Sequence, residues 1–195
     1  MWSDSLTTVH EMRMAVAAFV DERDWTRYHE PVNVASAALV EAAELLEPFQ
    51  WRRGGDPVPA EVARSSVEEL ADVLHYALAL ANAAGEDLAV DGMTLAGVLE
   101  GEEPDDATPK ALAEEVAANA ALALVAARAV EGGPGAELEL PDDEGPPVAV
   151  CVEILVASLA RCAAALGADL SRELELKMAD NRRRFPVGSR PDVGY

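Results

Sequence analysis

Glu41-Ala-Ala-Glu44 and Glu69-Leu-Ala-Asp72 are two acidic pairs with i, i+3 spacing, each inside a segment of helical periodicity. On an α-helix, residues three apart are neighbours on one face. Two such helices joined by one loop can pack antiparallel and face their acids toward each other. Four carboxylates gathered at one point repel unless a cation sits among them. Both pairs also adjoin apolar faces, where a desolvated acid needs a partner. The pattern ExxE…ExxD is therefore expected to hold Mg²⁺, which takes oxygen ligands and commonly bridges carboxylates to phosphates. Solvated acids on a helix face are the ordinary alternative for either pair taken alone.

Two further groups of residues bear on this chemistry. Trp25, His29, Trp51 and Tyr76 lie at or near the ends of the acid-bearing helices, and aromatic planes stack on nucleobases with about 1–3 kcal/mol per base. Capping of the core is the plainer role for such rings. Downstream, Lys177-Met178-Ala179-Asp180-Asn181-Arg182-Arg183-Arg184 concentrates cations in an otherwise acidic chain. Lys177 and Asn181 share a helix face, and together they can hold phosphate oxygens. Cations at a helix C-terminus also complement its dipole. His10 and His75 fall in no usable pattern.

The elements that must position these groups read as all-α. The 195-residue chain is half hydrophobic, rich in alanine and poor in aromatics, and alanine is the strongest helix former. Apolar periodicity predicts helices over 5–22 (capped by Ser5 or Thr7), 33–47 (with Asn33 near its cap), from about Pro59 or Ser65 to Ala84, and over 93–99, 109–131, 148–166 and 170–184. Pro48 is expected to stop or kink the second, and Gly85 to end the third. Residues 101–106 read as an acidic linker, 132–147 as a turn-rich loop and 187–195 as an extended tail. The formal net charge of -21 argues against broad nucleic-acid or anionic-membrane binding. Cys151 and Cys162 are too far apart along one helix to pair. With no basic leader after Met1 and no apolar stretch expected to span a bilayer, a cytoplasmic protein is expected.

An internal comparison divides the chain. Ala79 to Leu88 resembles Arg161 to Leu170 position by position, with Gly85 opposite Gly167. In the same register the acids do not repeat, since Glu69 falls opposite Cys151 and Asp72 opposite Ile154. The expected organisation is a repeat over 1–100 that carries the acids, a second repeat without them over 101–186 that ends in the KMxxN motif, and a tail over 187–195. Chance likeness of alanine-rich helices is the alternative.

The ordered set Glu22-Arg23-Asp24-Trp25, His29-Glu30-Pro31-x-Asn33, Glu41-x-x-Glu44, Phe49-Gln50-Trp51, Glu69-x-x-Asp72-Val-Leu-x-Tyr76 and Lys177-Met-x-x-Asn181-Arg-Arg-Arg-Phe-Pro resembles the all-α, MazG-like nucleoside triphosphate pyrophosphatases, and within them the dCTP pyrophosphatase branch. The resemblance covers about residues 8–88 and 167–186. It implies a MazG-like helical bundle, here two fused four-helix-type repeats forming a pseudo-dimer, and hydrolysis of a nucleoside triphosphate, dCTP or another pyrimidine deoxynucleotide, to monophosphate and pyrophosphate. It implies Mg²⁺ as cofactor, with Mn²⁺ as substitute, held by Glu41, Glu44, Glu69 and Asp72. It implies that Trp25, His29, Trp51 and Tyr76 surround base and sugar, that Lys177, Asn181 and Arg182 contact the triphosphate, and that the chain forms a homodimer of fused repeats. A nucleotide sensor without turnover is the alternative within the same fold, and a purely structural helical protein is a third reading. The chain departs from the family in the long stretch inserted between its third helix and the KMxxN helix, and in Pro48 beside Trp51.

Overall fold

The computed structural model describes residues 1–101, 107–131 and 146–189. Most of the acidic linker, most of the turn-rich loop and the tail from 190 onward lie outside the described residues. The helices are α1 (Val9–Asp21), α2 (Pro31–Leu46), α3 (Ala60–Ala84), α4 (Leu95–Val98), α5 (Pro109–Glu131), α6 (Val148–Ala165) and α7 (Leu170–Arg184), with single 3₁₀ turns at Thr26–Tyr28 and Glu47–Phe49. Among the described residues there is no strand, only an isolated bridge between Thr8 and Thr94.

Two helix starts differ from expectation, each for a local reason. α1 begins after Thr8, not Ser5 or Thr7. Thr8 Oγ1 accepts from the Glu11 N–H (3.2 Å) while Glu11 Oε2 accepts from the Thr8 N–H (2.8 Å). That reciprocal pair satisfies two otherwise orphaned donors, and only Thr8 has a glutamate at the required spacing. α2 begins at Pro31 itself, with Glu30 extended before it and Asn33 already inside the helix. Proline suits the first helical position because it lacks the N–H that would be orphaned there.

α2, α3, α6 and α5 pack in that cyclic order as a four-helix bundle, with α3 also against α1 and α7, and α4 against α6. One continuous core runs through it, from Phe19, Leu45 and Phe49 to Leu155, Leu159 and Leu174. The two sequence segments do not build separate bundles. Each contributes two long helices to the same one, α2–α3 and α5–α6. α3 and α6 end alike: Gly85 (φ 69°) and Gly167 (φ 70°) both turn left-handed just past the helix. At each end the glycine N–H reaches the carbonyl three residues back, and the next N–H the carbonyl five back, a hydrogen-bonded C-terminal cap.

α6 departs from the expectation about membranes. By length and composition it is apolar enough to cross one. In the fold, Val152, Leu155, Val156 and Leu159 are buried against the neighbouring helices, as in a core helix. Cys151 and Cys162 are both free and buried on it, as expected.

Candidate functional site

The acids converge where α2 faces α3. Val34, Ala37, Glu41 and Glu44 follow one another along α2 at helical spacing, and Glu69, Asp72 and Tyr76 along α3. All seven line one cavity of about 790 Å³. Carboxylate oxygens of Glu41, Glu69 and Asp72 lie within 4.8 Å of one another. Glu44 lines the cavity beside them without joining the group. Burial, with the charges of Asp72, Glu44 and Glu69, pushes the Glu41 carboxyl up to about 7. Burial likewise raises Glu69, which also feels Asp72 and Glu44. It raises Asp72 too, although the Lys177 ammonium works against it. Three hard oxygen donors that resist joint ionisation are a donor set suited to a small divalent cation.

α7 closes the other side. Lys177 Nζ donates to Asp72 Oδ2, so an ammonium from the downstream helix stands among the acids of the upstream pair. Asn181 and Arg184 follow Lys177 along the same face and also line the cavity. Arg182 does not. It is exposed on another face, and Arg184 occupies the place expected for it. The spacing i, i+4, i+7 from Lys177 marks Arg184, and three consecutive arginines mask that signal.

The aromatic end is built by the turn after α1. Asp24 adopts a left-handed backbone (φ 56°), tolerated better by Asp than by most residues, and the Trp25 N–H then bonds the Val20 carbonyl (3.1 Å). Trp25 is 8% exposed. Its ring stands edge-on to Phe19 (centroids 5.7 Å) and Phe185 (5.5 Å), and its Nε1–H donates to the Ser189 carbonyl (2.8 Å). Trp25 thus lines the cavity as a braced wall. Arg23, buried over the Phe19 ring (3.8 Å), donates to the carbonyls of Phe19 and Phe185 and pins the end of α7 to α1. His29 and Tyr76 line the cavity as well. Burial lowers the His29 pKa and raises the Tyr76 hydroxyl to about 12.

Trp51 is not brought to this cavity. It is 90% exposed. After the 3₁₀ turn at Pro48, Phe49 takes the core position, and Lys110 Nζ of α5 clamps the Gln50 and Arg52 carbonyls (3.3 and 3.0 Å). The residue between those carbonyls faces outward. In contrast, Phe19, Phe185 and His75 line the cavity without having been singled out. His75 follows Asp72 at i+3, the same spacing that marks the acids.

Over 85 residues the chain is 41% identical to dCTP pyrophosphatase 1 of Homo sapiens, and 39% identical to the proteins of that name from Rattus norvegicus and Mus musculus. Over this stretch the chain is similar to the dCTP pyrophosphatases. The match spans 42% of the chain and about half the length of the relatives. The likeness to dCTP pyrophosphatases read from the motifs therefore extends to aligned sequence. No protein-family model and no solved structure matches.

Proposed function

We propose that this chain is a metal-dependent nucleoside triphosphate pyrophosphohydrolase acting on dCTP or another pyrimidine deoxynucleoside triphosphate. The observation that carries the reading is the convergence of Glu41, Glu69 and Asp72 with Lys177 in one cavity whose other end is aromatic. The similarity to proteins named dCTP pyrophosphatase 1 supports it. A cavity of this volume has room for a nucleotide.

Glu41, Glu69 and Asp72 would hold Mg²⁺. Bound there, the ion supplies charge to the phosphoryl oxygens of a triphosphate and favours in-line attack by water. Lys177, Asn181 and Arg184 would bind phosphate oxygens, the two cations through charge-assisted hydrogen bonds. Glu44, beside the three acids and outside their group, accepts the proton of the attacking water. Phe19, Trp25 and Tyr76 enclose the nucleoside and exclude water from it.

We further infer that 1–100 and 101–186 are two copies of one helical unit, the second without acids. The matching caps at Gly85 and Gly167 and the shared four-helix bundle support this. The site would then draw its acids from the first copy and Lys177 from the second, giving one site per chain. Assembly as a homodimer belongs to the same reading and is checked by light scattering.

Pyrophosphate release from each NTP and dNTP in the presence of Mg²⁺ tests the reaction. Release is expected, fastest with a pyrimidine deoxynucleotide. Nucleotide binding without release, or no binding, overturns it.

A further inference from the structure

The helix that delivers Lys177 to the acids is held at its start by a residue from far upstream in the chain. An α-helix leaves its first N–H groups without intrahelical partners. In α7 those of Leu170 and Ser171 both bond the Asp4 carboxylate, the first at Oδ2 (2.9 Å) and the second at Oδ1 (2.6 Å). The Arg172 N–H bonds Asp169 Oδ1 (3.0 Å), and the same oxygen accepts the Asp4 N–H (3.1 Å). Two aspartates 165 positions apart thus share the capping of one helix. Further along, Glu175 Oε2 accepts the Trp2 N–H (3.0 Å). Asp4 is itself fixed, because its carbonyl accepts the Ala96 N–H of α4 (2.8 Å).

A single polar residue just before the helix commonly caps it, and Asp169 already fills that place. Asp4 adds a directional constraint. A carboxylate that grips two successive N–H groups fixes both the axial position and the roll of the helix. Leu170, Leu174 and Met178 seat α7 in the core, but hydrophobic attraction is not directional. At the far end, Arg23 and Trp25 bond the Phe185 and Ser189 carbonyls. The stretch from Lys177 to Arg184 that lines the cavity therefore lies between two polar fastenings. Lys177 stands about 9 Å along the axis from Ser171, within one unbroken helix. A misplacement of about 1 Å at a reacting site can cost about 100-fold in rate.

We propose that Asp4 is a positioning residue for the reaction: by gripping the start of α7 it sets where that helix stands against α3, and so holds Lys177 at Asp72. The inference rests on the reaction proposed above and adds to it a residue outside the cavity.

The test is Mg²⁺ titration calorimetry without nucleotide, kcat/KM for dCTP and thermal unfolding, with Asp4→Ala, Asp4→Asn and Thr8→Ala. Thr8→Ala removes the cap of α1 and leaves α7 untouched. Asp4→Ala loosens the ammonium from Asp72 and should tighten Mg²⁺ by roughly three- to tenfold. Loss of a negative charge alone would act in the opposite direction. Asp4→Ala should also lower kcat/KM by roughly tenfold. In a Lys177→Met background it should leave Mg²⁺ affinity within about twofold, because the group it positions is gone. Asp4→Asn keeps an oxygen for one N–H and should fall between the wild type and Asp4→Ala. Thr8→Ala should lower the unfolding temperature with Mg²⁺ affinity unchanged. Wild-type Mg²⁺ affinity in Asp4→Ala, or in Asp4→Asn where only that variant folds, overturns the inference. So does a gain in affinity that persists in the Lys177→Met background. The titration needs no turnover. A wild-type chain that binds Mg²⁺ and releases no pyrophosphate therefore overturns the reaction, while the hold of Asp4 on Lys177 is still decided. A chain that binds no Mg²⁺ overturns both.

Discussion

Glu41, Glu44, Glu69 and Asp72 stand on α2 and α3, and in the register that sets Gly85 opposite Gly167 their counterparts are Ala123, Ala126, Cys151 and Ile154 on α5 and α6. Both pairs of helices belong to one bundle, share one core and have a second helix that ends on a left-handed glycine. In α2–α3 the facing side chains hold carboxyl groups at costly proximity around a cavity. In α5–α6 the corresponding Ala123, Ala126 and Cys151 are buried in the core. The difference shows how a bundle carries a charged site. One pair of helices supplies packing, which allows the other to hold groups that repel each other. α7, continuing from the packing pair, supplies the compensating cation through Lys177.

The largest test of that asymmetry is a matched pair of substitutions. Asp72→Ala removes a converging carboxylate and the partner of Lys177. It should lower pyrophosphate release by about 1000-fold or more, the scale on which removal of preorganised charge acts. Ile154→Ala, at the corresponding position of the other pair, is partly exposed and should leave release within about twofold. A comparable loss from Ile154→Ala would mean that the acid-free pair also takes part in the reaction.

A second test separates the cations of the two regions. Lys177 bonds Asp72 across the cavity, whereas Arg161 bonds Glu115 between α6 and α5. Lys177→Met should slow release by roughly 10- to 100-fold, since it removes one charged donor from the transition state. It should also tighten Mg²⁺ binding in the absence of nucleotide, because the ammonium no longer competes for Asp72. Titration calorimetry reads the metal and a coupled phosphate assay the rate. Arg161→Met should move neither.

Much of this contrast is legible in the sequence, and the illegible part has physical causes. Helix periodicity sets the ends of α3, α5, α6 and α7 within a residue or two where Gly85, Pro109, Val148 and Arg184 coincide with strong boundaries. The i, i+3 acids are local geometry, so one helical face predicts their common direction. Trp51 is different. Its orientation depends on which of Phe49 and Trp51 the core accepts and on a clamp from Lys110, which arrives from a helix distant in the sequence. Arg184 is selected over Arg182 by the roll of α7 against α3, which three adjacent arginines do not encode. His75 has the same spacing from Asp72, but its place among the rings of the cavity depends on packing against Phe19 and Tyr76, which only the folded structure shows.

The acid-bearing pair should also respond to pH. The Glu41 carboxyl is raised from 4.5 to about 7, so the folded chain holds that proton more tightly than the unfolded one does. Without metal, its contribution to stability is therefore fully present below about pH 4.5 and is lost as pH rises to about 7. The thermal midpoint of the metal-free chain should fall across that window. Mg²⁺ displaces the same proton, so its affinity should rise by up to about tenfold per pH unit below about 7 and level off above it. Cys162 on α6, raised to about 12 by burial and by Glu115, remains a thiol throughout. A flat Mg²⁺ affinity over this range would remove Glu41 from the metal site.

The smallest effect tests what the two pairs share. Gly85 and Gly167 have nearly the same φ, and a Cβ added at either meets nothing within 4 Å. Substitution by alanine therefore introduces backbone strain without a clash. A left-handed L-residue costs roughly 1–2 kcal/mol, so Gly85→Ala and Gly167→Ala should each lower the unfolding free energy by about 1 kcal/mol. Denaturant midpoints at constant m-value measure this. The double variant should show the sum if the two caps act independently. Equal costs would support one cap used twice. A cost at Gly85 well above that at Gly167 would mean that the end of α3 is held by something that α6 lacks, and that the likeness of the two pairs stops at the backbone.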